Sequence, residues 1–111
     1  MDWAVRILWS TFDGPLFTAA LELWLAARYD PDLLAVLLPQ ERALGQTIRS
    51  MSVELFGSAA ESVDFTEALE LLLDAMRGAA SSLVLLAEGS QERLLHEWTT
   101  YMKGALHKRQ T

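Results

Sequence analysis

The stretch GPLFTAALELWLAARYDPDL, from Gly14 to Leu33, constrains the fold more than any other part of this chain. At 3.6 residues per turn, Leu16, Ala19, Ala20, Leu23 and Ala27 form one face. Phe17, Leu21, Trp24 and Leu25 form the next, leaving Thr18, Glu22 and Arg28 as polar breaks. A helix with so little polar surface is predicted to sit at the centre of the domain, wrapped by the others. Its ends are marked in the sequence. Pro15 stands at the first helical position, where its missing N–H costs nothing, and Asp30-Pro31 stops the helix, because a residue before proline is pushed out of the helical region.

The rest of the 111 residues fits one domain, 1–111, with one core. There is no cysteine, which removes disulfides, thiolate zinc sites and cysteine nucleophiles together. The net charge of −6 is uneven: residues 1–64 carry nine acids and four bases. Such a chain has no basic stripe for nucleic acid, because each neutralised phosphate needs a Lys or Arg. His107-Lys108-Arg109 is the one positive cluster, and it reads as a solvated tail. The longest uncharged apolar run near the C-terminus, residues 78–87, is shorter than the ~20 residues of a membrane span. An acid at position 2, where a signal peptide would be basic, completes the expectation of a cytoplasmic protein without membrane contact.

Periodicity predicts helices throughout and no strand. A first helix covers residues 2–12, with Trp3, Ile7 and Leu8 on one stripe and Val5, Trp9 and Phe12 on another, so it should pack on both sides. After the central helix, Asp30 caps a third, which Pro39 is predicted to break into a short and a longer piece. On the longer piece Leu44, Ile48, Met51 and Leu55 face inward and Glu41, Arg42, Gln46, Arg49 and Glu54 outward, with Gly57 as the stop. Residues 57–64 read as a loop. Asp64 and Glu67 then form a capping box for a fourth helix, whose stripe is Leu69, Leu72, Leu73, Met76, Ala80, Leu83 and Ala87. Beside it, Gly78-Ala79-Ala80-Ser81-Ser82 is a run of small residues where another helix could approach closely. Gly89 ends that helix, and Ser90 caps a fifth with Leu94, Leu95, Trp98, Tyr101, Met102, Ala105 and Leu106 on its apolar side. The sum is an all-α bundle of five to six helices.

Few residues invite chemistry. Glu92 and His96 have the i,i+4 spacing of a metal pair but no third ligand, so no metal and no cofactor are expected. Glu67, Glu70, Asp74 and Arg77 read as a solvated face, with Asp74 in reach of Arg77. Glu22, the acid within the apolar helix, has three readings: a structural salt bridge, the polar anchor of a ligand pocket, or simple exposure. Trp9, Phe12, Phe17, Leu21, Trp24, Met51, Phe56 and Met76 fit either a plain core or the wall of an apolar cavity. No nucleophile–base set and no glycine-rich phosphate loop is present, so the chain is not expected to be an enzyme.

Residues 8–57 resemble the C-terminal effector-binding and dimerisation region of TetR-family transcriptional regulators. The match is closest at Phe12-Asp13-Gly14-Pro15-Leu16-Phe17, Glu22-Leu23-Trp24, Ala27-Arg28 and Asp30-Pro31. The resemblance implies a ligand-sensing, homodimeric domain whose last two long helices pack against their copies in a four-helix interface. Leu72, Met76, Ala79, Ala80, Leu83, Leu94, Trp98, Tyr101 and Met102 would form that interface, and a small apolar ligand would sit near the central helix. The family's N-terminal helix-turn-helix has no match here. DNA would be reached only through such a domain outside this sequence, whether it was cut away or lost. The rival expectation is a purely structural helical homodimerisation module with a filled core and no ligand.

Overall fold

A computed structural model describes residues 1–81 and 89–107, the last of them by its backbone alone. The described residues form α1 (Asp2–Ser10), α2 (Pro15–Ala27), α3 (Pro31–Phe56), α4 (Phe65–Ser81) and α5 (Ser90–His107), with no strand among them. The chain is all-α. Leu83 and Ala87, expected on the fourth helix, lie outside the described residues, as does Ser82 at the end of the small-residue run.

The start signals act as the chemistry of helix ends requires. Pro15 and Pro31 occupy first-turn positions of α2 and α3. The Asp30 carboxylate accepts from the backbone N–H groups of Asp32 (3.1 Å) and Leu33 (3.2 Å), two of the donors that a helix start leaves unpaired. Gly57 ends α3 at φ 59°, a backbone conformation that L side chains rarely adopt. Asp64 stands at the N-cap of α4, its carbonyl accepting from Ala68 N–H at 2.9 Å. The segment expected as a loop is half ordered: Gly57–Glu61 is a 3-10 turn that lays Ala59 and Ala60 against the core. Phe56 and Phe65 close the turn edge to face, with ring centroids 5.5 Å apart. Ser90 is the first residue of α5 rather than its cap, and the carbonyl of Gly89 accepts from Arg93 N–H at 3.4 Å.

Leu44, expected to face inward, is half exposed, and two further expectations fail. Pro39 does not divide α3, which runs through it for 26 residues. Proline removes one backbone donor and crowds the turn before it, but Pro39 and Ala35 both lie on the solvent side, where water can reach the orphaned Ala35 carbonyl. The second failure is larger. The central helix of the bundle is α1, not α2. Ala4, Val5, Leu8, Trp9 and Phe12 are buried, and α1 packs against both α3 and α5. Trp3 alone departs from the expected stripes and is exposed. By contrast α2 buries only Ala27 fully and packs mainly on α3, leaving Leu16 87% and Leu25 56% exposed.

The core follows from this arrangement. Val5 and Leu8 of α1 join Leu72 and Met76 of α4 and Met102 of α5, all essentially closed to solvent. Leu94, Trp98 and Ala105 are half-buried around them. The α2–α3 hairpin stands to one side, giving a shape of 49 × 33 × 18 Å. The radius of gyration is 15.3 Å, against about 13 Å for a compact chain of this length.

Ion pairs join the helices at the surface. Arg6 donates to both oxygens of Glu92 (2.9 and 2.8 Å) and to Asp2 (2.9 Å), tying α1 to α5. Arg49 donates to Glu70, tying α3 to α4. Each hydrogen bond favours the charged forms: the carboxyls of Glu92 and Glu70 are held below their ordinary values and the guanidinium groups of Arg6 and Arg49 above theirs.

Replacing Pro39 by Ala restores a backbone donor in mid-helix. Removing the ~3 kcal/mol interior penalty, less the ~1 kcal/mol by which Pro restricts the unfolded chain, should stabilise the fold by about 2 kcal/mol. The urea midpoint measures this, and an unchanged midpoint would mean α3 accommodates Pro39 without cost. The lowered carboxyl values give a second prediction. Their stabilisation is present above the ordinary Glu value of about 4.3 and is lost as pH falls through the depressed folded value. Glu70→Gln should therefore shrink the stability lost between neutral and strongly acidic pH. The half-exposed pair limits this to about 0.5 kcal/mol, read from thermal melts across that range.

Candidate ligand-binding site

Where α2 leaves the body, a space opens between α2 and α3. It has a volume of about 430 Å³ and is walled by Leu16, Phe17, Ala20 and Trp24 from α2 and by Leu44, Gly45, Thr47, Ile48 and Met51 from α3. Thr11 and Phe12, just beyond α1, and the polar pair Glu41 and Arg77 complete the lining. The size falls within the ~300–1,000 Å³ of ordinary small-molecule sites, which are mostly apolar with a few convergent polar groups.

Local sequence explains the walls. Phe17, Ala20 and Trp24 follow at i, i+3 and i+7, so they share the side of α2 turned to α3. Phe17 forms edge-to-face pairs with Phe12 at 5.4 Å and with Trp24 at 6.3 Å. These quadrupole contacts hold the rings along one wall rather than collapsed into the space. Gly45 opposite adds no side chain; a Cβ there would stand 2.9 Å from the end of Arg49. The hydroxyls of Thr11 and Thr47 donate back to their own turns, to Leu8 (2.7 Å) and Ala43 (3.1 Å).

The polar pair is unusual. The Arg77 guanidinium lies 5.8 Å from the Trp24 ring centroid, within cation–π range. It meets Glu41 at only 3.7 Å, through Nη2 and Oε1. Arg77 Nε and Glu41 Oε2 are both shut off from solvent without a hydrogen-bond partner. The rest of both side chains stays in reach of water, 43% of Arg77 and 32% of Glu41 being exposed.

The expected lining residues divide. Phe12, Phe17, Trp24 and Met51 come together in the cavity. Leu21 instead borders a second hollow of about 420 Å³ beside Phe12, Gly14, Thr18 and Ala80. Trp9 and Met76 are core: Trp9 lies 5.4 Å from Trp98, with its indole N–H 3.4 Å from Gln91, and Met76 is fully enclosed. Phe56 packs in the core at the α3–α4 junction. Glu22 is exposed and is not among the residues that line the cavity. Among the residues expected at a dimer surface, Leu72, Met76 and Met102 are internal to the chain, since α4 and α5 pack on each other with these side chains between them. Ala79, Ala80, Leu94 and Trp98 are half-buried and Tyr101 is exposed, while Leu83 lies outside the described residues.

Glu41 and Arg77 went unread in the sequence as site residues. Glu41 looks outward by composition, yet it stands three residues before Leu44 and seven before Ile48, at the head of the stripe that lines the cavity. Arg77 reaches Glu41 across helices rather than Asp74 within its own. Glu92, once paired with Arg6, is not free to join His96. Among the described residues no three His, Asp or Glu side chains gather as a metal would require, and no helix is long and apolar enough to cross a membrane.

No protein-family model matches this sequence, and neither a curated protein nor a solved structure matches it. The cavity has to speak for itself.

Proposed function

We propose that this chain is a ligand-sensing, self-associating helical domain of a TetR-like transcriptional regulator. The observation that carries the reading is the cavity at Trp24. A filled-core dimerisation module has no use for about 430 Å³ of apolar space between its helices. Apolar groups gain roughly 25 cal/mol for each Å² withdrawn from water, so an apolar molecule of matching size has reason to enter. Phe12 links the site to the rest of the domain, since it lines the cavity and also belongs to the core with Trp9 and Leu8. A ligand that displaces Phe12 acts on α1. In the regulator such a shift would change the relative population of two dimer geometries and so the placement of DNA-reading domains.

Self-association is supported by apolar surface that the chain leaves uncovered. On α4 and α5, Leu71, Ala75 and Tyr101 are exposed near half-buried Ala79, Leu94 and Trp98. The α2–α3 hairpin exposes more: Leu16, Leu23, Leu25, Tyr29, Val36 and Leu44 are each about half to nearly fully exposed. Leu34 and Leu38 add to this exposed apolar surface. A second copy brings an equal surface.

Binding is tested by titrating small apolar molecules such as naphthalene into the protein and following tryptophan fluorescence. The expected result is a saturable change that is lost in Trp24→Phe and in Ala20→Phe, which fills the cavity. At a hundredfold excess over Kd the ligand should stabilise the fold by about 2.7 kcal/mol. Silence across a broad panel would remove the sensing role. Self-association is tested by sedimentation equilibrium at low micromolar concentration, where twice the chain mass is expected. Dissociation by Leu71→Glu with Tyr101→Glu would place the interface on α4 and α5, and dissociation by Leu23→Glu with Leu25→Glu would place it on the hairpin. A wild-type monomer would leave the domain without its dimeric mechanism.

A further inference from the structure

The outer side of α2 carries an apolar stripe that the core leaves uncovered. We infer that it docks a basic amphipathic helix of a partner protein, which lays an apolar edge along α2 and sets Lys or Arg side chains beside the acids around it.

The stripe comes from spacing. Leu16, Ala19, Leu23 and Ala26 follow at intervals of three, four and three residues, the repeat by which two helices pack along a seam. All four are exposed, Leu16 at 87% and Leu23 at 49%. They run for about 15 Å along the helix, at 1.5 Å per residue. Leucine alternating with alanine gives ridges and gaps rather than a flat surface, so a facing helix can set its own large side chains against Ala19 and Ala26. Of the four, Leu16 alone also lines the cavity.

Charge names the occupant. Glu22 is the one charged residue of α2, and it borders the stripe, three residues after Ala19 and four before Ala26. Asp13 stands three residues before Leu16, and Asp30 and Asp32 lie past the far end of the stripe; all four acids are exposed. One oxygen of Asp30 serves the α3 cap. The ion pairs among the described residues leave all four acids out. The only base between residues 13 and 40 is Arg28, five residues past Leu23 and hence on the far side of α2. A surface that is apolar along its middle, acidic at its edge and ends, and without a base beside it complements a helix with Leu or Ile on one side and Lys or Arg around it.

A second copy fits worse. Antiparallel pairing across a two-fold axis would bring the two Glu22 side chains to the same side of the seam near its centre. It would also bring Asp13 of each copy to the Asp30 and Asp32 end of the other. Parallel pairing would set Asp13 beside Asp13 and Asp30 beside Asp30. Acid meets acid either way, which is how charges beside a seam reject a partner. The contact between copies then falls to α4 and α5. The same charges disfavour a lipid surface, because helices that lie on membranes carry Lys and Arg on the polar side.

The test titrates the full chain into three labelled peptides of about 18 residues, long enough to form a helix, and follows fluorescence anisotropy. One has leucines at heptad spacing and lysines elsewhere, its twin has glutamates for the lysines, and a scrambled lysine peptide lacks the leucine stripe. The lysine peptide should bind about tenfold or more tighter than either of the others. Leu23→Glu with Ala26→Glu, neither of which lines the cavity, should remove its binding. Asp13→Lys with Glu22→Lys should reverse the preference between the lysine and glutamate peptides. The wild-type series decides the matter even if a variant fails to fold. Equal binding of the lysine peptide and its scrambled form would overturn the helical occupant, and equal binding of the lysine and glutamate peptides would overturn the charge assignment. No binding of the lysine peptide up to about 100 μM would overturn the docking site itself. Loss of a wild-type dimer in Leu23→Glu with Ala26→Glu would overturn the inference in favour of a second copy. Tighter binding to phosphatidylglycerol vesicles than to the lysine peptide would overturn it in favour of lipid.

Discussion

The enclosure of α1 is the constraint on which the rest of the molecule depends. Nine residues of helix carry Ala4, Val5, Leu8 and Trp9 into the core, where they meet side chains of α4 and α5 that are equally closed to solvent. An isolated helix of that length is not stable in water, so α1 exists because its neighbours cover it. Its polar side is fastened too, by Arg6 across to Glu92. This fixes where the chain emerges at Phe12, and therefore where α2 begins. With the interior already filled by α1, α4 and α5, only the flank of α3 is left for α2.

This displacement shows what the sequence conveys and what it cannot. Helix ends were legible because they depend on neighbours in the chain: Asp30 with Pro31, Gly14 with Pro15, and Gly57 each act through the backbone beside them. The all-helical class was legible from periodicity for the same reason. The place of α2 was not. A helix apolar nearly all round reports that it wants cover but not from which side or from which molecule. Length settled the competition differently from composition: α1 is short and its apolar residues converge, so it fits between α3 and α5. Pro39 was misread by a related error, since its effect on α3 depends on whether solvent reaches the carbonyl it leaves unpaired.

The site was half legible. Phe12, Phe17, Trp24 and Met51 were visible as aromatic and sulfur side chains at helical spacing, and they do meet. Trp9 and Met76 share that description yet lie in the core, because apolarity does not separate a wall from a filling. Glu22, the one acid in an apolar stretch, is absent from the cavity wall, whereas Glu41 from a polar stretch lines it. What distinguishes them is register: Glu22 lies opposite the side of α2 that faces α3, and Glu41 heads the lining stripe of α3. Arg77 could not have been paired with it from sequence, because the contact spans 36 positions and two helices.

The cavity and the exposed apolar hairpin have one cause. Because α2 is held chiefly by α3, one of its flanks is left short of side chains to meet and the other is left in water. Anything that fills the first changes the second. A molecule bound between Trp24 and Ile48 would add contacts between α2 and α3 to the one that Arg77 of α4 already makes over the Trp24 ring. The surface the hairpin offers to a partner would then be held in one orientation rather than several. By linkage the converse follows, since a partner that fixes the hairpin also fixes the shape of the cavity and raises its affinity by the same factor. Coupling between a ligand and assembly would need no long path here, because both would act on the seating of a single helix.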